Sequence, residues 1–137
     1  MSRVRSATLS LAAVLLLMVV GCSDQPREYP LSGKVRFKDG TSVPAGTIVF
    51  EPDATRGNSG PGIMVEFRNG EFKTRSGQGV RGGAYLARVI GYDGVPVNEL
   101  IYGKALFDEQ TVAIDLPNAA SQTEIIVPLD GPTFRHD

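Results

Sequence analysis

Beyond residue 30 the chain alternates apolar and polar positions with a period of two, and turn residues interrupt the alternation at short intervals. Val35 and Phe37 alternate with Lys34, Arg36 and Lys38 up to Asp39-Gly40. Ile48 and Phe50 alternate with Thr47, Val49 and Glu51 up to Pro52. Ile63, Val65 and Phe67 alternate with Met64, Glu66 and Arg68, and Asn69-Gly70 separates this run from Glu71-Phe72-Lys73-Thr74. An Asn-Gly pair between two such runs is the strongest short-range hairpin signal. Tyr85, Ala87 and Val89 share one face of a further strand that stops near Asp93-Gly94. Val112, Ile114 and Leu116 form a sixth strand, and Ile125, Val127 and Leu129 a seventh over 123–129. Charged residues on the outward positions give each sheet one buried and one wet face. About seven short strands in roughly a hundred residues, without helical periodicity, predict an all-β, two-sheet sandwich over 31–130. Residues 131–137 read as a disordered tail.

The N-terminus obeys a different pattern. Residues 2–6 are short and positive, carrying Arg3 and Arg5, and the stretch from Ala7 to Val20 has no charge. As a helix that stretch would span ~21 Å, against ~30 Å of hydrocarbon in a bilayer, so a cleaved signal peptide over 1–21 fits better than a spanning helix. The run closes in Val19-Val20-Gly21-Cys22, which resembles the bacterial lipobox. That resemblance implies cleavage between Gly21 and Cys22, with Cys22 acylated by fatty chains such as palmitate and becoming the new N-terminus. Val19 stands where Leu is usual.

Cys22 is the only Cys, so no intrachain disulfide can form. A free exposed thiol in an oxidising envelope would be reactive, and thioether formation removes it. Several acyl chains exceed the two-signal threshold for stable anchoring. Residues 22–30 then form the lipidated Cys and a polar tether, with Pro26 and Pro30, that reaches ~25–28 Å at most. Ser23 directly after the Cys, by resemblance to lipoproteins of Gram-negative bacteria, favours the outer membrane over the inner one.

Charge narrows the partners. The 137 residues carry 14 basic and 15 acidic side chains, and the two leader arginines leave a small acidic excess in the remainder. No basic surplus is present to draw a phosphate backbone, so nucleic acid is not an expected partner. The mature length suits a single domain that buries roughly 65% of its unfolded surface.

The segment from Leu31 to Pro52 (LSGKVRFKDGTSVPAGTIVFEP) resembles the opening hairpin of carboxypeptidase regulatory-like domains, which are transthyretin-like (prealbumin-like) β-sandwiches found in small bacterial lipoproteins. Asn69-Gly-Glu-Phe-Lys-Thr74 is similar to their G-x-F-x-T strand. Gly83-Ala-Tyr-Leu-Ala-Arg-Val89 is similar to their P-G-x-Y-x-x-x-V strand, with Gly82 where Pro is usual. The likeness covers roughly Leu31 to Gly91, and the stretch from Val95 to Leu116 departs from it. It implies a stability or interaction module without catalysis of its own.

Candidate chemistry is sparse. Gly77-Gln-Gly79-Val-Arg-Gly82 matches G-x-G-x-x-G, but a strand pattern follows where a dinucleotide site needs a helix N-terminus. His136 is the only His and sits beside the C-terminus, where nothing holds an imidazole for a catalytic triad or completes a zinc site. Asp108-Glu109 is the one adjacent carboxylate pair, without calcium-loop spacing. Lys34 and Glu66 occupy outward positions and the last strand offers no Asn, so an internal isopeptide is not expected. No enzyme activity, metal or cofactor is therefore expected. The leading reading is a lipid-anchored structural or protein-interaction module of the cell envelope. The alternative is a periplasmic ligand or carbohydrate binder using the 54–60 and 95–103 loops, with Tyr92 and Tyr102 as the candidate sugar platforms.

Overall fold

A computed structural model describes residue 21 and residues 26–136. The expected signal peptide (save an exposed Gly21), the lipidation site Cys22 and the start of the tether lie outside the described residues. Among the described residues no helix is long and apolar enough to cross a membrane.

Seven strands form: β1 (Leu31–Phe37), β2 (Ala45–Pro52), β3 (Ile63–Arg68), β4 (Glu71–Lys73), β5 (Gly83–Tyr92), β6 (Gln110–Leu116) and β7 (Ser121–Val127). A 3-10 turn at Ala54–Arg56 follows β2. The chain is thus all-β, in one hydrogen-bonded sheet of order β6-β5-β2-β3-β4-β1-β7. Neighbours are antiparallel except β1 and β7, which run parallel. The two end strands, β6 and β7, lie against one another, so the mixed sheet is nearly a barrel. The alternation seen in the sequence supplies its filling: Val35, Phe37, Ile48, Phe50, Phe67, Tyr85, Val89, Ile125 and Val127 all point inward and are buried.

Local chemistry fixes the register. Asn69 (φ 52°) and Gly70 (φ 72°) both have positive φ, as a two-residue type I′ turn requires. Two glycines face phenylalanines across the ladder, Gly33 opposite Phe72 and Gly46 opposite Phe67. A Cβ at Gly33 would stand 1.8 Å from the Thr123 carbonyl oxygen and 2.9 Å from the Phe72 ring. Each ring packs over the backbone of its glycine, and a side chain there would displace both.

Two boundaries differ from the sequence expectation. β7 ends at Val127, two residues before Leu129, because Pro128 has no N–H to continue a ladder. Leu129 instead turns back, and its carbonyl accepts from Lys38 N at 2.9 Å. Within 131–136, part of the stretch expected as a disordered tail, Thr133 and Phe134 each donate a backbone N–H to Leu106 O at 2.9 Å.

Strand directions define two ends. β1, β3, β5 and β7 run one way and β2, β4 and β6 the other. One end gathers the chain entering β1, the β4–β5 connection and the β6–β7 turn. Tyr29 and Val80 exchange backbone hydrogen bonds of 2.8 and 2.9 Å there, and Ser121 N donates to Pro30 O at 3.1 Å. The opposite end gathers the β1–β2 connection, the Asn69-Gly70 turn and the segment after β5.

Candidate functional site

The sequence reads the segment after β5 as a loop over 95–103, one of the two candidate binding loops. It is a small hairpin. Asp93 N donates to Lys104 O at 2.9 Å, Gly94 N to Tyr102 O at 3.0 Å, and Val97 and Leu100 exchange bonds of 3.2 and 3.0 Å around Asn98-Glu99. The Asp93 carboxylate braces the base, accepting from Val95 N at 2.9 Å and Lys104 N at 3.1 Å. Gly103 has φ +88°, and a Cβ there would lie 1.8 Å from that carboxylate oxygen, so this corner admits only glycine. The tip consequently carries four apolar side chains in water: Val95 is 59% exposed, Val97 39%, Leu100 53% and Ile101 63%. Clustered apolar exposure of this kind marks a contact surface more often than an isolated exposed Leu does.

The hairpin brings both sequence-predicted tyrosines together. Tyr92 and Tyr102 stack with ring centroids 5.6 Å apart and planes at 23°. Tyr102 Oη donates to Glu66 Oε1 at 2.6 Å, and the Arg68 guanidinium carbon lies 5.4 Å from the Tyr102 centroid. The Glu66 hydrogen bond, then burial and the Glu66 charge, push the Tyr102 phenol above its ordinary value, with Arg68 opposing. Glu66 and Arg68 are the parts the sequence did not connect to Tyr102. Their outward alternation on β3 was legible, but which loop would fold over them was not.

The two loops proposed together as a ligand site do not meet. Residues 54–60 lie near the Tyr85 end of β5 and residues 95–103 at its Tyr92 end, about 23 Å apart along the strand. The 54–60 loop also spends its polar groups internally. Asp53 is 5% exposed and accepts from the backbone and hydroxyl of Thr55 and from Arg56 Nε. Arg56 reaches on to Asp115 at 3.2 Å, and Asn58 Nδ2 donates to Ala84 O at 2.8 Å. Thr55 first, with Arg56 adding charge, holds the Asp53 carboxyl below the usual range against the cost of burial.

The remaining sequence candidates scatter. The glycines of 77–82 connect β4 to β5 and lead into a strand, with Gly79 packed against the Tyr29 backbone. His136 Nε2 lies 2.7 Å from Ala105 O. Glu109 sits 3.8 Å from Arg88, which bonds Glu51 at 2.6 Å, while Asp108 is exposed. Lys34 stands opposite Glu71 on β4, away from Glu66. Among the described residues no three His, Cys, Asp or Glu side chains group in a way that could hold a metal ion.

Comparison with protein-family models, with curated proteins and with solved structures found no match.

Proposed function

We propose that this chain is a lipid-anchored, non-enzymatic β-sandwich module of the bacterial cell envelope that acts by binding another envelope protein. The observation that carries the reading is the apolar hairpin tip of Val95, Val97, Leu100 and Ile101, set at the far end of the molecule from the chain that enters β1. β5, ten residues long, separates the two ends by about 30 Å. Acyl chains on Cys22 and a short tether would hold the near end at the bilayer, leaving the tip to face the periplasm or cell exterior.

The sandwich assignment, and with it the transthyretin-like resemblance, draws support from the β3–β4 junction. These strands share only two register pairs, Phe67 with Phe72 and Arg68 with Glu71. The continuous sheet therefore reads as two layers, β6-β5-β2-β3 and β4-β1-β7, hinged at one hairpin. Carbohydrate binding is the weaker reading, because Tyr92 and Tyr102 turn ring faces to each other and Arg68 covers Tyr102 as well.

Two measurements test the proposal. Globomycin, which inhibits lipoprotein signal peptidase, should block processing, and Cys22→Ala should leave the membrane fraction. A photocrosslinker at Ile101 in intact cells should then give a discrete adduct that one at Thr55 does not. Unchanged processing and partition would overturn the anchor, and identical crosslinking at both positions would overturn the tip as the binding surface.

A further inference from the structure

The sheet opens beyond the β3–β4 turn. In a two-residue hairpin the residues flanking the turn exchange hydrogen bonds, and bonded pairs then alternate along the ladder. Arg68 and Glu71 are that flanking pair, so the next bonded pair would be Glu66 with Lys73. That pair is only half made: Lys73 N–H donates to Glu66 C=O, which closes the last register pair, Phe67 with Phe72, and the ladder stops there. β4 leaves to follow β1, with Thr74 N donating to Leu31 O at 2.8 Å and Leu31 N donating to Thr74 Oγ1 at 3.1 Å. β3 stays with β2 as far as Ile63 opposite Phe50.

The same alternation says which groups face the gap. Met64 directs its N–H and C=O, and Glu66 its N–H, into it from one side, and Lys73 directs its C=O from the other. No turn or loop backbone among the described residues bonds to residues 62–66. The gap is a cavity of about 510 Å³ bordered by Met64, Glu66, Lys73, Arg75 and Gln78. Unpaired strand backbone of this kind is a template for another strand.

Charge selects the strand. Lys73 and Arg75 are exposed, stand two residues apart, and have no ion-pair partner among the described residues. The one carboxylate at the border, Glu66, is already bonded to Tyr102. The border is therefore net basic. It repels a second copy of itself and attracts carboxylates placed at alternate positions of an extended chain.

We propose that this opening takes an extended acidic segment of a partner protein as an added β-strand, bonded to the backbone of Met64 and Glu66 and paired with Lys73 and Arg75. This goes beyond the anchoring and tip-binding reading and involves a different edge of the sheet, so failure of either leaves the other standing.

The test uses the full-length chain in detergent micelles with fluorescein-labelled Val-Glu-Val-Glu-Val amide and its Val-Lys-Val-Lys-Val counterpart. The Glu peptide should bind saturably and the Lys peptide should not. Amide hydrogen exchange at Met64 and Glu66 should slow at least about tenfold on binding. Met64→Pro removes a gap-facing N–H while Ile63 and Val65 keep the β2 ladder, and should weaken the Glu peptide roughly tenfold. Lys73→Glu with Arg75→Glu should reverse the peptide preference, a readout that holds even if the proline variant folds poorly. The proposal is overturned if the Glu peptide does not bind, if both peptides bind alike, or if the Met64 and Glu66 amides are already slow in the free chain.

Discussion

Tyr102 and Glu66, 36 residues apart in sequence, meet through a 2.6 Å hydrogen bond that pins the hairpin after β5 to the outer face of β3. It adds to the Asp93 base, the Tyr92 stack and Arg68 over the Tyr102 ring in aiming the apolar tip. Tyr102→Phe should cost about 0.5–1 kcal/mol of stability, the ordinary net worth of an intramolecular hydrogen bond at the surface. Because folding raises the Tyr102 phenol above its ordinary 10.0, its contribution is fully present below pH 10 and fades as pH rises through the folded value. Urea unfolding at pH 8 and at high pH should show the wild-type advantage over Tyr102→Phe shrinking. An advantage that grows with pH would contradict the assignment.

Asp53 should show the opposite sign. Its carboxyl is held below the ordinary 3.8, first by Thr55 and then by Arg56, so the stability it supplies is present above that value and lost as pH falls through the folded one. Asp53→Asn should be clearly less stable than wild type at pH 7 and nearly equal to it well below pH 3.8. Equal stability at pH 7 would show that the cap does not tie the 3-10 turn to β6.

Much of this architecture was legible in the alternation itself. Phe37, Phe50, Phe67 and Phe72 announced inward faces, and Asn69-Gly70 announced a hairpin whose two φ values require those residues. What escaped was whatever depends on contacts distant in sequence. Leu106 collecting the N–H groups of Thr133 and Phe134, Tyr102 lying over β3, and the end of the β3–β4 ladder at Phe67 and Phe72 leave no mark on local periodicity. The candidate site was half visible. The two tyrosines could be chosen because aromatic rings near loops are few in this chain, but their partners Glu66 and Arg68 looked like any solvated outward positions.

Gly33→Ala should be among the most damaging small substitutions in the body. Its new methyl would meet the Thr123 carbonyl at 1.8 Å, where backbone of the parallel β1–β7 pair must move. A loss of about 1–3 kcal/mol or more is expected from overpacking, read as a lower urea midpoint. A midpoint within error of wild type would mean that β1 and β7 are not held at this distance.

The tip residues should behave in the reverse way. Leu100→Asp with Ile101→Asp alters side chains already in water, so stability should stay within about 0.5 kcal/mol. Binding of an apolar dye such as ANS and crosslinking at the tip should both fall. Unfolding of the double variant would show instead that these side chains support the fold.

Mass spectrometry of the mature N-terminal peptide, purified from the native membrane, addresses the anchor on which the function rests. The account predicts a chain that begins at Cys22 with a diacylglyceryl group in thioether linkage to its sulfur. A chain beginning elsewhere, or a Cys22 with a free thiol, would contradict it.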